Sequence, residues 1–249
     1  MATPTDEEPR VIHELASRSV TVHQGRAVKR GGRLFENEAS NLRFIAEHTT
    51  IPVPHVYGIE RDDRGKVISI EMDYMPGRPL DQVWEDMTKN QRDSITQELH
   101  GYVAQLRSLK GNYIGAADHG QAVVGDIVSH EAGPFEDEHA FNEFLFSKII
   151  DIVPDALRYY ATSTFREDHE IVFTHGDLAP RNILVDDNAC VTAILDWEEA
   201  GWYPAYWEHV RAYRNLGSVT DWSHYLSLIL PPQYPAEFIA MAYLTRISS

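Results

Sequence analysis

At 249 residues the chain is longer than the roughly 150 typical of one domain, which predicts one large domain or two closely packed ones. Its 43% hydrophobic and 24% charged residues match globular usage and exclude a disordered or collagen-like chain. Against 38 Asp and Glu stand only 22 Lys and Arg, a formal charge of −16, and such a field repels a phosphate backbone over about 8 Å in physiological salt, so nucleic acid is excluded as a partner. Cys190 is the single cysteine, so no intramolecular disulfide exists and a reducing, cytoplasmic setting is expected. Asp6, Glu7 and Glu8 stand where a signal peptide needs basic residues, and Pro231, Pro232 and Pro235 interrupt the long apolar stretch near the C-terminus. No membrane span is therefore expected.

In chain order, residues 1–10 are polar and expected to be loose, and Val11, Ile12 and Leu15 suggest a short helix over 11–16. Val20-Thr21-Val22-His23 and Arg26-Ala27-Val28-Lys29, joined by Gln24-Gly25, predict an antiparallel hairpin with Lys29 at the end of its second strand. Ala39, Leu42, Ile45 and Ala46 form one stripe, which predicts a helix over 36–48 before the break at Ile51-Pro52-Val53-Pro54. Strands follow over 53–58 and 67–74, separated by Asp62-Asp63-Arg64-Gly65. Met75-Pro76-Gly77 then punctuates the chain. Beyond it helical periods dominate: Ile95, Leu99, Tyr102, Val103 and Leu106 mark one helix, and Phe141, Phe144, Leu145 and Ile149 another. Residues 171–195 return to strands, and helices over 206–216 and 236–247 finish the chain. The expected organisation is a small, mostly β lobe over residues 1–75, with 1–19 atypical, and a helical lobe over 76–249.

The chemistry concentrates in His175-Gly176-Asp177-Leu178-Ala179-Pro180-Arg181-Asn182, a polar loop between the apolar runs Ile171-Val172-Phe173 and Ile183-Leu184-Val185. Asp186-Asp187-Asn188 turns the chain back, so the next strand delivers Asp196 to the rim that holds Asp177 and Asn182. Two carboxylates and an amide at one rim suit phosphoryl transfer, where catalysis is mostly positioning and charge neutralisation. Asp196 and the amide oxygen of Asn182 are the candidate Mg²⁺ ligands, both hard oxygens, and Asp177 is the candidate base for an acceptor hydroxyl. His175 and Gly176 read as loop-shaping residues. One His-x-Asp without further clustered ligands is a poor metal cage, which argues against a metal-dependent hydrolase.

The stretch from His175 to Asn182, followed by Asp196-Trp197-Glu198, resembles the aminoglycoside phosphotransferase and choline kinase superfamily. The resemblance implies an α+β, protein-kinase-like fold of two lobes and an ATP- and Mg²⁺-dependent transfer to the hydroxyl of a small molecule. It also implies that Lys29 holds the nucleotide phosphates, with Glu38 as its ion-pair partner. Met72, Asp73, Tyr74 and Met75 resemble the hinge whose backbone meets adenine. Pro52-Val53-Pro54 through Tyr57, Leu106-Arg107-Ser108-Leu109 and Trp202-Tyr203-Pro204-Ala205-Tyr206-Trp207-Glu208 are similar to the fungal phosphotransferase-domain branch.

Two departures stand out. The only glycine before Lys29 is Gly25, in the hairpin turn, so the glycine-rich loop expected over the phosphates is missing or remodelled. This leaves open a second reading, a pseudokinase that binds nucleotide or acts as a scaffold. Ala179 also stands where protein kinases carry a basic residue, and Arg181 would supply that charge. Trp202, Tyr203, Tyr206 and Trp207 read first as packing, with Trp202 and Glu198 as the candidates to face the acceptor, a cationic one among the options. Glu136-Asp137-Glu138-His139 reads as the solvated start of a helix.

Overall fold

A computed structural model describes residues 8–15, 18–32, 34–125, 131–214, 216, 219–230 and 232–248. The first lobe is built on a five-stranded antiparallel sheet, ordered β1-β2-β3-β5-β4: β1 (Arg10–Leu15), β2 (Arg18–His23), β3 (Arg26–Gly31), β4 (Val56–Arg61) and β5 (Val67–Asp73). Gln24 and Gly25 both have positive φ, at 50° and 77°, as the tight β2–β3 hairpin requires. The β4–β5 turn closes on Asp62, whose Oδ1 accepts from the N–H groups of Arg64 and Lys66. Helix α1 (Asn37–His48) crosses the sheet with Ala39, Leu42 and Ile45 buried, and ends just before the prolines at 52 and 54.

The expected helix over 11–16 is instead strand β1, paired with β2 from Arg10↔Val22 to Leu15↔Arg18. Val11 and Ile12 are β-branched, and pairing satisfies the backbone of β2, which outweighs a weak helical period. Both stay largely exposed because β1 is the sheet edge. The small lobe thus has a strand before the hairpin, joined to β2 by the two residues at 16 and 17, which lie outside the described residues, as do residues 1–7. Lys29 lies inside β3 and not at its end.

The second lobe opens with the short strand β6 (Arg78–Pro79) and the single turn α2 (Leu80–Val83). Helix α3 (Lys89–Ser108) starts at a capping box of Thr88 and Gln91, buries Ile95, Leu99, Val103 and Leu106, and packs on strand β9 and helix α7. There follow a small ribbon, β7 (Ala122–Val123) with β8 (Glu131–Ala132), and helices α4 (Glu138–Phe146) and α5 (Asp155–Thr162). Strand β9 (Ile171–Thr174) enters the polar loop, β10 (Ile183–Val185) leaves it, β11 (Val191–Ile194) pairs with β10, and β12 (Gly201–Pro204) pairs with β9. Helices α6 (Trp207–Arg214), α7 (Trp222–Ile229) and α8 (Pro235–Ile247) complete the lobe. No helix among the described residues is long and apolar enough to cross a membrane.

One hydrophobic core runs through both lobes, from Ala39, Leu42 and Ile70 to Trp84, Trp197 and Trp222. A second, within the helical lobe, gathers Phe141, Leu145, Tyr203, Tyr206 and Trp207. The lobes are also joined through polar atoms. The amide of Asn41 on α1 donates to the carbonyls of Trp197 (3.0 Å) and Ala200 (2.8 Å), and its Oδ1 accepts from the N–H of Ala117. Position 41 lies within the buried stripe of α1, where an unpaired amide would be costly, so these bonds dictate where the helix sits.

At the far end of the helical lobe, His169 bridges two helices. Its Nδ1 lies 2.8 Å from Glu138 of α4 and its Nε2 3.3 Å from Glu237 of α8, with Tyr206 and Tyr234 against the ring. The bond to Glu138 raises the pKa of His169 above 6.5 against the effect of burial. A raised folded value means that the stabilisation is complete below 6.5 and fades as pH climbs through the folded value. We expect the melting temperature to fall as the pH climbs above 6.5, and His169→Gln to flatten that slope. Parallel melting curves for the two proteins would refute this.

Candidate active site

The polar loop is folded by its own side chains. Gly176 adopts φ +81°, and a Cβ there would lie 2.5 Å from the carbonyl oxygen of Glu199. Gly176→Ala therefore combines left-handed strain with a backbone collision, and should cost more than about 2 kcal/mol of stability in denaturant titration. A cost below about 0.5 kcal/mol would show that the two segments do not abut.

His175 is fully buried. Its Nδ1 accepts from the N–H of Asp177 (3.1 Å) and its Nε2 donates to the carbonyl of Leu195 (2.9 Å), a pattern that assigns the neutral Nε2–H tautomer. One imidazole thus joins the Asp177 loop to the residue preceding Asp196. The N–H of Leu195 donates to the carbonyl of Asn182 (2.8 Å), and the Asn182 amide donates to the carbonyl (2.9 Å) and the Oδ2 (2.8 Å) of Asp177. With its amide nitrogen committed to Asp177, Asn182 keeps its Oδ1 for a ligand. Arg181 also bonds the Asp177 carboxylate, placing its charge four residues along the loop.

Asp196 lies two residues beyond the end of β11 in the left-handed conformation, φ 65° and ψ 61°, which Asp and Asn tolerate better than most residues. There its Oδ1 lies 2.7 Å from Lys29 Nζ. The same ammonium donates to both oxygens of Glu38, at 3.0 and 2.8 Å, and reaches Glu198 at 3.3 Å. Burial opposes the charge on Lys29, but the three carboxylates outweigh it and raise its pKa. Burial likewise works against Asp196, and Lys29 prevails and holds its carboxyl below the ordinary value. Burial pushes the carboxyl of Glu38 up, against the pull of Lys29.

Glu38, Asp196 and Glu198 bring their oxygens within 4.8 Å of one another, a group that could hold a divalent cation. Hard oxygens suit Mg²⁺, and the ammonium of Lys29 already lies among these three.

Four supporting residues were not apparent from the motifs. Glu208 on α6 is buried and accepts from the N–H of His175 and, at 3.4 Å, of Gly176. Arg211, one turn on, donates to the carbonyl of Gly176 (3.0 Å) and pairs with Glu199, whose carboxyl burial pushes up to about 7. Their signal is a Glu and an Arg at i and i+3 within an aromatic run, a face that ought to be apolar. The fourth is Arg18, which no motif marks.

Met72 to Met75, the expected hinge, lie at the end of β5 and just beyond it. The N–H of Asp73 is bonded to the carbonyl of His55 and that of Tyr74 to the carbonyl of Gly25, both at 3.0 Å, and Met72 packs into the core. Trp202, read first as packing and second as an acceptor-side candidate, is 8% exposed and packs against Phe44 and Phe173. It is a core residue, because β12 turns that side chain toward α1. Glu198 faces Lys29 and Arg18.

A β-sheet lobe over a helical lobe, with a lysine–glutamate pair facing an Asp-Asn-Asp constellation, defines a protein-kinase-like architecture. The chain matches the phosphotransferase enzyme family (APH) over residues 29–230 and belongs to it. No curated protein matches by sequence. Among solved structures, a type VIII aminoglycoside-3'-phosphotransferase is 18% identical with a TM-score of 0.63, covering 96% of this chain and 93% of that one. Aminoglycoside phosphotransferase APH(4)-Ia is 14% identical, TM-score 0.63, covering 96% and 83%. The GDP complex of a 2'-phosphotransferase-IIIa mutant is 13% identical, TM-score 0.62, covering 97% and 81%. These likenesses show the shared fold.

Proposed function

We propose that the chain is an ATP- and Mg²⁺-dependent kinase that transfers the γ-phosphoryl group to a hydroxyl of a small molecule, a metabolite or an aminoglycoside-like compound. The observation that carries this reading is Lys29 Nζ bonded at once to Glu38 and Asp196, residues from three separate elements that meet at one point. Lys29 would hold the phosphates and be kept in place by Glu38. Asp177, oriented by Asn182 and Arg181, would take the proton from the acceptor hydroxyl. Mg²⁺, held by Asp196 and Asn182, would supply neutralisation of the phosphate charge. With the N–H groups of Asp73 and Tyr74 already used, adenine would meet the hinge at Met75. We also take residue 75 as the lobe boundary, the cytoplasm as the setting, given the lone cysteine, and the fungal phosphotransferase-domain branch as the subgroup, on the stretches quoted above. The net charge of −16 favours a cationic acceptor.

A nucleotide-binding scaffold without turnover is the second reading, favoured by a two-residue β1–β2 connection that contains no glycine. Thermal unfolding with Mg-ATP, followed by an ATP- and GTP-consumption screen over hydroxylated compounds, tests both. Saturation at about 100 times Kd should add roughly 2.7 kcal/mol. A shift with turnover supports the kinase, and a shift without turnover supports the scaffold. No shift refutes both.

A further inference from the structure

Strand β2 begins at Arg18, directly after the short connection from β1. In the β2–β3 register Arg18 opposes Gly31 and Val20 opposes Lys29. Opposed residues share a face, as do alternate residues along a strand, so Arg18, Val20 and Lys29 project from the same side of the sheet. Arg18 is paired on one side with Leu15 of β1 and on the other with Gly31 of β3. Arg18 reaches Glu198 with Nη1 at 2.8 and 3.0 Å from the two carboxylate oxygens, while its guanidinium carbon lies 5.6 Å from the centre of the Phe35 ring. Glu198 Oε2 is also the atom that meets Lys29. Two cations from adjacent strands therefore share one carboxylate.

We propose that Arg18 is a second phosphate-binding cation, supplying by charge what a glycine-rich loop supplies through backbone N–H groups, and that Glu198 holds it ready until nucleotide arrives. This rests on the nucleotide site described above. Glu38, Asp196 and Glu198 carry three negative charges against the two positive charges of Lys29 and Arg18. Such a group repels a triphosphate unless Asp196 turns to the metal and both cations turn to the phosphates. Exchange of one carboxylate for phosphate oxygens suits the planar fork of arginine, which matches either anion. No bond is made or broken in the exchange. Arg18 should matter in proportion to the length of the phosphate chain.

The test is equilibrium binding of fluorescent ATP, ADP and AMP analogues, with and without Mg²⁺, to the wild type, Arg18→Ala and Arg18→Lys. Arg18→Ala should weaken ATP by about 10- to 100-fold and AMP by less than about twofold, with Arg18→Lys in between. Equal losses for ATP and AMP would overturn the proposal, since they report packing. Unchanged or tighter ATP binding would also overturn it, since the ion pair would then be only a tie or a brake. Should the alanine variant lose its thermal transition, Arg18→Gln, which keeps the side-chain stem, repeats the comparison under the same criteria. A wild type that binds no nucleotide overturns the nucleotide site and this role together, whereas a wild type that binds normally beside an unaffected Arg18→Ala overturns this role alone.

Discussion

Asp177→Asn should lower kcat by about 10²- to 10⁴-fold, the usual contribution of a positioned general base, while nucleotide affinity changes by less than about threefold. The replacement keeps the shape of the side chain and an oxygen for the bonds from Asn182 and Arg181, so the loop stays folded. What disappears is the charge that accepts the hydroxyl proton. Single-turnover rates beside a nucleotide titration separate the two effects. A large loss of affinity with kcat intact would remove Asp177 from the proton-transfer role.

Asp196→Asn should abolish turnover at millimolar Mg²⁺ and flatten the dependence of nucleotide binding on the metal. Asparagine is the informative change because position 196 is left-handed, so alanine would add backbone strain of about 1–3 kcal/mol to the loss of the ligand. The folded state should hardly notice the asparagine. Lys29 keeps Glu38 and Glu198, and one negative charge leaves a cluster that has three against two positive. Metal titration of nucleotide affinity, with thermal unfolding as the control, checks both statements. An Asp196→Asn protein that still turns over at the wild-type rate would end the metal assignment.

Much of the fold is visible in local patterns. The hairpin around Gln24-Gly25, helix α1, helix α3 and the strands flanking the polar loop follow from period, turn chemistry and proline breaks. The first strand is hidden because Val11, Ile12 and Leu15 fit a helical spacing as well as a strand, and only pairing with β2 decides between them. Helices α5 and α7 are short and carry few positions that repeat, so long-range packing on α8 and α3 defines them. In the candidate site, Lys29, Glu38, Asp177, Asn182 and Asp196 are legible through their motifs. Asn41, Glu208 and Arg211 work through backbone atoms distant in the chain, and nothing in local sequence says which carbonyl or N–H they will meet. Trp202 packs inward, as its first reading expects, and the acceptor-facing alternative arises because an aromatic beside a catalytic stretch looks the same whether its ring turns inward or out.

Asn41 bears on control. Kinases that are switched by swinging this helix need a joint that opens, so that the glutamate can leave its lysine. Here α1 is riveted by one side chain to both ends of the turn that follows Asp196, and the apolar packing beneath it is continuous with the lower lobe. Pulling the helix away would strand two buried carbonyls and tear that packing, which opposes the separation of Glu38 from Lys29. For the kinase proposed above, control by swinging this helix would therefore carry a high energetic cost.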